Sequence, residues 1–332
     1  MPKNFKIGCH FHNNCGLALA NSILANDLGC EVVDSTFTGM GRGAGNLKME
    51  LLLTVLNQKE QLDVNFNALS EVTVSFEELQ EKHKWGTSLP YMVSGANSLP
   101  QKQVMEWVSK RYYSINSIIR ALDNHKKGKE DNDSFDKFTP SNKYKKVLII
   151  GGGPSVINHF DAIKEFLIAN KEDTCIVHAS SRNAVQFNEI SNDQFYCLVG
   201  NEGVRLENLF LSLDQFKGTC ILPPYPRQMG TYVPLKVTDI TKELSEINFT
   251  KELKDTHTAL ALQATIELGA EEVFIVGYDG YEEAHLTQQE IELLDENNRL
   301  FNSFHLHVSK KIIALTKTRY KALEKKSIFS YV

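Results

Sequence analysis

Cysteine is sparse in this sequence and shows no metal-type spacing. The six residues, at positions 9, 15, 30, 175, 197 and 220, form no Cys-x-x-Cys pair and fall mostly in or beside expected strands. That pattern argues against zinc-finger and disulfide frameworks and reads as buried, reduced thiols in a cytoplasmic protein. No uninterrupted apolar run is long enough to cross a bilayer, and no charged-then-apolar leader opens the chain. Basic charge is also in short supply. Lys and Arg total 36 against 41 Asp and Glu, a net charge of -5, and the isoelectric point is near 6.1. Nucleic acid is therefore not expected as a main partner. There is no internal repeat. What remains is an ordinary soluble composition, 42% hydrophobic and 23% charged over 332 residues, a length that predicts two domains.

The most informative stretch lies at residues 7–46. It begins Ile7-Gly-Cys-His-Phe-His-Asn-Asn14 and ends in the glycine-rich run Thr36-Phe-Thr-Gly-Met-Gly-Arg-Gly-Ala-Gly-Asn46. Alternate side chains of an extended strand share a face, so His10 and His12 project together, roughly 7 Å apart at the backbone. Both imidazoles can then reach one divalent ion, although a lone His-x-His is more often structural. Residues 16–27 read as a helix with Leu17, Ala20, Ile23 and Leu24 on its apolar side, stopped by Gly29. A second strand over 31–37 feeds the glycine loop, and Asn46 opens a helix over 47–56.

This run resembles the last two strand-helix units of the metal-dependent aldolase and acyl-lyase superfamily, TIM barrels that include 4-hydroxy-2-oxovalerate aldolase, hydroxymethylglutaryl-CoA lyase and isopropylmalate synthase. The resemblance implies that His10, His12 and Asn46 lie at a divalent-metal site, Mn²⁺ or Mg²⁺, and that Arg42 helps neutralise an enolate or a substrate carboxylate. It implies a small-molecule substrate, a 2-oxo acid or an acyl thioester, in a bacterial cytoplasmic protein. A barrel of this kind needs eight units, and the family's first-strand Arg-Asp motif has no counterpart here. The expectation is therefore a partial TIM barrel over 1–56 that is inactive alone, with the missing half absent or supplied as a separate chain.

Residues 57–124 look like the helical appendage of those aldolases. Pro100 suits a first helical turn, and Val104, Val108, Tyr112, Ile115, Ile119 and Leu122 recur at helical spacing as a core stripe. Residues 125–145, rich in Lys, Asp, Asn, Gly and Ser, read as a solvated linker.

From Lys146 the pattern changes. An apolar run, Val147 to Ile150, is followed by Gly151-Gly-Gly-Pro-Ser155, and further apolar runs recur at 175–178, 195–199, 219–222 and 273–277 with helical stretches between several of them. This alternation predicts a Rossmann-like, doubly wound parallel sheet over 146–332, with ligands outside the carboxyl ends of the strands. The turn Gly151, Gly152, Gly153, Pro154, Ser155 offers amides to a phosphate or is a simple tight turn. Asp255, His257 and Thr258 sit at a helix start, where capping competes with ligand contact. Asp279 could take a sugar hydroxyl or serve as a turn residue before Gly280. His305 and His307 repeat the His-x-His spacing, but on a helix they point apart and are rejected as a metal pair.

The Gly-Gly-Gly-Pro-Ser turn, the His-Thr-Ala-Leu helix and the Ile-Val-Gly-Tyr-Asp-Gly strand end are similar to domains of Maf-type glycosyltransferases, bacterial sialyltransferases and archaeal hydroxymethylpterin diphosphokinase. That similarity implies handling of a nucleotide or nucleotide sugar. Three readings follow: a fragment or split form of an aldolase or lyase with a nucleotide-binding C-terminal domain, a glycosyl- or nucleotidyl-transferase of surface polysaccharide synthesis with a vestigial aldolase segment, and a non-enzymatic subunit that completes a split barrel.

Overall fold

The computed structural model describes the whole chain except residues 1–5, 60, 84, 110–114, 129–132, 211–212, 214–215, 228–230, 252, 282–285, 287 and 332. The chain forms two compact units, Met1–Gly128 and Lys129–Val332.

In the first unit β1 (Gly8–His10) and β2 (Val32–Asp34) pair in parallel across α1 (Ala18–Asp27), with Cys9 opposite Val33 and His10 opposite Asp34. The end of α1 follows directly from its sequence. Gly29 takes φ +97°, which lets its own N–H reach Asn26 O and that of Cys30 reach Ala25 O, the paired bonds that close a helix on a left-handed glycine. α2 (Met49–Gln58) follows the glycine loop, and Ala18, Leu47 and Leu52 form a small core with Phe11, Ile23 and Val33 against it. Further helices of the described residues are α3 (Phe66–His83), α4 (Leu89–Ala96), α5 (Gln101–Ser109) and α6 (Ile115–Lys126). Phe76 of α3 stacks on Phe37 of the loop at 5.3 Å.

The single apolar stripe expected over 104–122 is divided between two helices that both pack on α4. α5 buries Val104 and Trp107, whereas α6 buries Ser117, Ile118, Ala121 and Leu122 and leaves Ile115 exposed. Each helix turns its own face to α4, so the spacing does not carry across; Tyr112 lies outside the described residues.

The second unit is built on an eight-stranded parallel sheet. Its strands are β3 (Lys146–Ile150), β4 (Thr174–His178), β5 (Gln194–Cys197), β6 (Thr219–Leu222), β7 (Thr241–Glu243), β8 (Glu272–Val276), β9 (Ile312–Ala314) and β10 (Glu324–Lys325). They are ordered β10-β9-β8-β3-β4-β5-β6-β7. The helices are α7 (Ser155–Asn158), α8 (Phe160–Ala169), α9 (Glu202–Leu209), α10 (His257–Glu267) and α11 (Gln288–Val308). Both faces of the sheet are covered. Val147 and Ile149 pack into a core with Ala261, Ala264, Phe301 and Phe304, while Leu148 and Ile150 pack on the other face with Ile163, Phe166 and Leu167. Burial on both faces is why these strands read as continuous apolar runs. The strands β7, β9 and β10 escape that reading because they are two or three residues long. The fold is α/β with parallel sheets.

One expectation needs correcting. Residues 125–145 are not a solvated linker throughout, because from residue 133 the chain is packed into the second unit. Phe138 N–H donates to Glu243 O at 2.7 Å, and Glu243 N–H donates to Asp136 O at 2.9 Å, so this segment lines the outer strand β7. Phe138 and Tyr144 are buried in the core. The Glu243 carboxylate, fully buried, accepts from Lys137 at 2.6 Å and from Arg227 at 3.0 Å, and Arg227 also donates to the Asp133 carbonyl. A polar composition conceals a strap held by three aromatics, half-buried Phe135 and buried Phe138 and Tyr144, and by a buried ion pair.

Candidate functional sites

In the first unit, the parallel register sets the geometry. Facing residues in β1 and β2 place Asp34 beside His10, and its Oδ2 lies 2.8 Å from His10 Nδ1. That contact holds the ring and leaves Nε2 directed elsewhere, the way a carboxylate orients a metal-ligating histidine. His12 lies beyond β1 and bridges Asn46 in an antiparallel pair. The rings of His10 and His12 stand edge to face with centroids 5.0 Å apart. Asn46 donates Nδ2 to Met40 O at 3.3 Å, which keeps its Oδ1 as an acceptor. Strand pairing and loop closure thus bring His10, His12 and Asn46 into one neighbourhood, while Arg42 stands exposed on the loop. Among the described residues, no group of three or more His, Cys, Asp or Glu side chains is arranged to hold a metal ion. The donors here are two imidazoles and one amide, with Asp34 behind them.

The second unit has a cleft of about 430 Å³ at the carboxyl ends of its strands. β3 has β8 on one side and β4 on the other; the chain proceeds from β3 toward β7 and from β8 toward β10. The chain therefore leaves β3 and β8 in opposite directions along the sheet, the kind of reversal beside which ligands bind in such folds. Gly151, Gly152, Gly153 and Pro154 line it, together with His257 and Asp279.

The three glycines are used differently from the expected phosphate cradle. Gly151 N–H donates to Val276 O and Gly153 N–H to Gly277 O, both at 2.8 Å. A β-carbon would meet Gly277 O at 2.4 Å from position 151 and 2.7 Å from 153, whereas at 152 the nearest atom is Ser180 Oγ at 3.4 Å. Gly151 and Gly153 are glycine because two loops press together. Ser155 and Asp279 are engaged with one another: Ser155 N–H donates to Asp279 Oδ2 at 2.9 Å, and its hydroxyl donates to Oδ1. Thr256 caps α10 by accepting from Ala259 N–H at 3.0 Å, so capping does not fall to Asp255. Thr258 is buried and bonds Asn297 and Tyr278 beneath the cleft. Asp255 and Thr258 are not among the lining residues, whereas His257 is.

Sequence reasoning missed Ser180, Arg182, Glu202, Arg205, Tyr281, Asn297 and Tyr320, all of which line the cleft. Four of them follow the apolar runs that become β4 and β5, so the rule that ligands bind beyond strand ends was signal enough to find them. Glu202 organises this group. It accepts from Ser181 N–H and Oγ, each at 2.6 Å, and from Arg205 Nη1 at 3.0 Å. His257 Nε2 lies 3.4 Å from its Oε2. Burial alone would raise this carboxyl, but His257, Ser181 and Arg205 outweigh it and hold it down at about 2. Glu296, on α11, shows the opposite balance: burial pushes it up to about 7 against the opposing pull of Arg299 and His257. His305 accepts from Ile312 N–H at 3.1 Å, a structural use.

Residues 1–76 match the HMGL-like family. The chain is 40% identical over 60 residues to 4-hydroxy-2-oxovalerate aldolase of Marinomonas sp. (strain MWYL1), covering 18% of this chain and 18% of that protein. It is 43% identical over 56 residues to oxaloacetate decarboxylase of Mycobacterium tuberculosis, 17% of each. A solved N-terminal domain of a candidate aldolase from Bacteroides vulgatus is 58% identical, with a TM-score of 0.32 over 36% of this chain and 38% of that one. The Maf glycosyltransferase of Magnetospirillum magneticum AMB-1 is 14% identical, with a TM-score of 0.41 over 60% of this chain and 36% of that one. The chain spans less than a fifth of the length of the curated relatives it matches.

Proposed function

We propose that the first unit is a portion of an HMGL-like, divalent-metal-dependent aldolase or lyase, corresponding to the last two strand-helix units of the barrel, and that it contributes metal ligands for carbon-carbon chemistry at a 2-oxo acid or acyl thioester. The observation that carries this reading is the juxtaposition of His10, His12 and Asn46, with Asp34 fixing the His10 ring. The donor set fits half of a cation's shell. His10 and His12 would hold the ion through imidazole nitrogen and Asn46 would add a carbonyl oxygen. A bound cation would polarise the substrate carbonyl that becomes the enolate. Arg42, exposed on the adjacent loop, would meet the substrate carboxylate.

Two imidazoles and one amide lack the anionic oxygen that Mn²⁺ and Mg²⁺ favour, so binding by this chain should be weak. Calorimetric titration with Mn²⁺ should show weak binding that His10→Ala abolishes and Asp34→Asn weakens. Binding unchanged in His10→Ala would remove the site. With Mn²⁺ and 4-hydroxy-2-oxo acids, pyruvate release by this chain alone should stay far below the usual enzymatic range of about 1 to 1000 per second.

A second reading is favoured by the cleft of the other unit. There a Rossmann-like domain would bind a nucleotide or nucleotide sugar for glycosyl or nucleotidyl transfer, and the HMGL-like segment would be vestigial. A thermal-shift screen with CMP, UDP and GDP tests it. Gly152→Val is the obstructing variant, since position 152 has room for a β-carbon without disturbing its neighbours.

A further inference from the structure

The loop amides that a phosphate would ordinarily use are largely engaged in this cleft. Gly151 and Gly153 bond the loop after β8, and Ser155 bonds Asp279. Attraction for an anion has to come from side chains, and the cleft supplies them. Arg182 follows β4 and donates to Gly152 O at 3.3 Å, so its guanidinium lies over the glycine turn. Arg205 projects from α9 and donates to Ser180 Oγ at 3.3 Å as well as to Glu202. His257, from the start of α10, stands against the other side of Glu202. Arg182 is exposed, and Arg205 and His257 keep close to half their side-chain surface open to solvent. The two carboxylates of the lining are turned to protein donors: Glu202 is buried under Ser181, Arg205 and His257, and Asp279 bonds Ser155. Facing a ligand are the Arg182 guanidinium, free of any carboxylate contact in the lining, and the solvent-open parts of Arg205 and of the His257 ring, both anchored on Glu202.

We propose that this cleft binds a phosphoanion, the phosphate or pyrophosphate of a nucleotide, chiefly through Arg182 and Arg205 with His257 as a further donor, and that Glu202 is the positioning residue holding Arg205 and His257 at its edge. The proposal rests on the reading of the cleft as a nucleotide site and replaces the loop amides with side chains as its anion-binding groups. Guanidinium groups suit this task because two parallel N–H donors match two phosphate oxygens. Ser180, which accepts from Arg205 and lies beside Gly152, sits between the two arginines.

The test is calorimetric titration of the full chain with inorganic phosphate, inorganic pyrophosphate, CMP, UDP and GDP. The parent should bind pyrophosphate or a nucleotide. Arg182→Ala and Arg205→Ala should each loosen binding about tenfold or more, corresponding to about 1.4 kcal/mol. Arg205→Ala also uncovers the buried Glu202, so Arg182→Glu, at an exposed position, provides the fold-sparing reversal and should abolish binding. Lys164→Ala, an exposed charge removed on α8, should leave affinity unchanged. Preference for nucleotide over pyrophosphate would identify the source of the anion. Nucleotide binding that persists unaltered in Arg182→Ala and Arg205→Ala, or that falls equally in Lys164→Ala, overturns the arginine assignment and leaves the nucleotide reading standing. No binding by the parent at millimolar concentrations overturns both.

Discussion

At the scale of single residues, the glycine turn and the buried carboxylates give the sharpest expectations. Gly151→Ala puts a methyl group 2.4 Å from Gly277 O, while Gly152→Ala meets nothing nearer than 3.4 Å. Forced overpacking of this kind costs about 1–3 kcal/mol, so denaturant unfolding should show that loss for Gly151→Ala and a change within about 0.5 kcal/mol for Gly152→Ala. Glu202 and Glu296 should give opposite dependences on pH. The Glu202 carboxyl, held at about 2 in the fold instead of 4.5, contributes stability that is present above its unfolded value and is lost as pH falls toward 2. With about 1.4 kcal/mol per unit, that is roughly 3 kcal/mol. The Glu296 carboxyl, raised to about 7, carries a penalty that grows as pH rises from 4.5 and is complete above 7. Glu202→Gln should therefore destabilise the protein most at about pH 8 and less at about pH 4. Glu296→Gln should stabilise it at about pH 8 and do nothing at about pH 4. Urea midpoints at the two pH values check both signs.

At the scale of elements, the strap over 133–144 and the edge strand β7 depend on each other. Among the described residues β7 is the outermost strand, paired with β6, and an uncovered edge invites pairing with other chains. The bridge between Lys137 and Glu243 covers it. Glu243→Gln would leave Arg227 buried with its counter-charge removed, a kind of break that costs about 3–5 kcal/mol. We expect that loss in denaturant midpoint, together with new proteolytic cutting between 133 and 144. In the parent, cutting should fall on the N-terminal side of Phe135. Cleavage spread evenly across 133–144 in the parent would show that the strap is not held as described. The sequence displayed the strap only as polar composition, because its anchors are three aromatics spaced without helical or strand period.

At the scale of the whole molecule, the two units have their own cores. Apolar side chains cover both faces of the large sheet within the second unit, and a domain of about 200 residues buries enough surface to be stable alone. Expressed by itself, the segment from 133 to the end should unfold in one cooperative transition. Loss of cooperativity would mean that its stability depends on the first unit. In the first unit a small cluster around Ala18, Leu47 and Leu52 supports β1 and β2, and two three-residue strands are a marginal sheet. Its isolated counterpart, ending at Gly128, should be the less stable of the two in the same measurement.

The sequence by itself determined whatever depends on local periodicity or neighbouring residues. The runs that became β3, β4, β5, β6 and β8 were legible because strands buried on both faces must be apolar throughout. The end of α1 was legible because a glycine in the left-handed region closes a helix within three residues. His10 and His12 shared a side because they are two residues apart. Tertiary structure alone decided what depends on separate strands meeting. It placed Asp34 on the His10 ring across 24 residues, set Asp279 against Ser155 across 124, laid Arg182 over the glycine turn and brought His257 to Glu202 and Arg205. No short-range pattern encodes such meetings, because the order in which parallel strands assemble is fixed by packing of the whole sheet and not by any one segment.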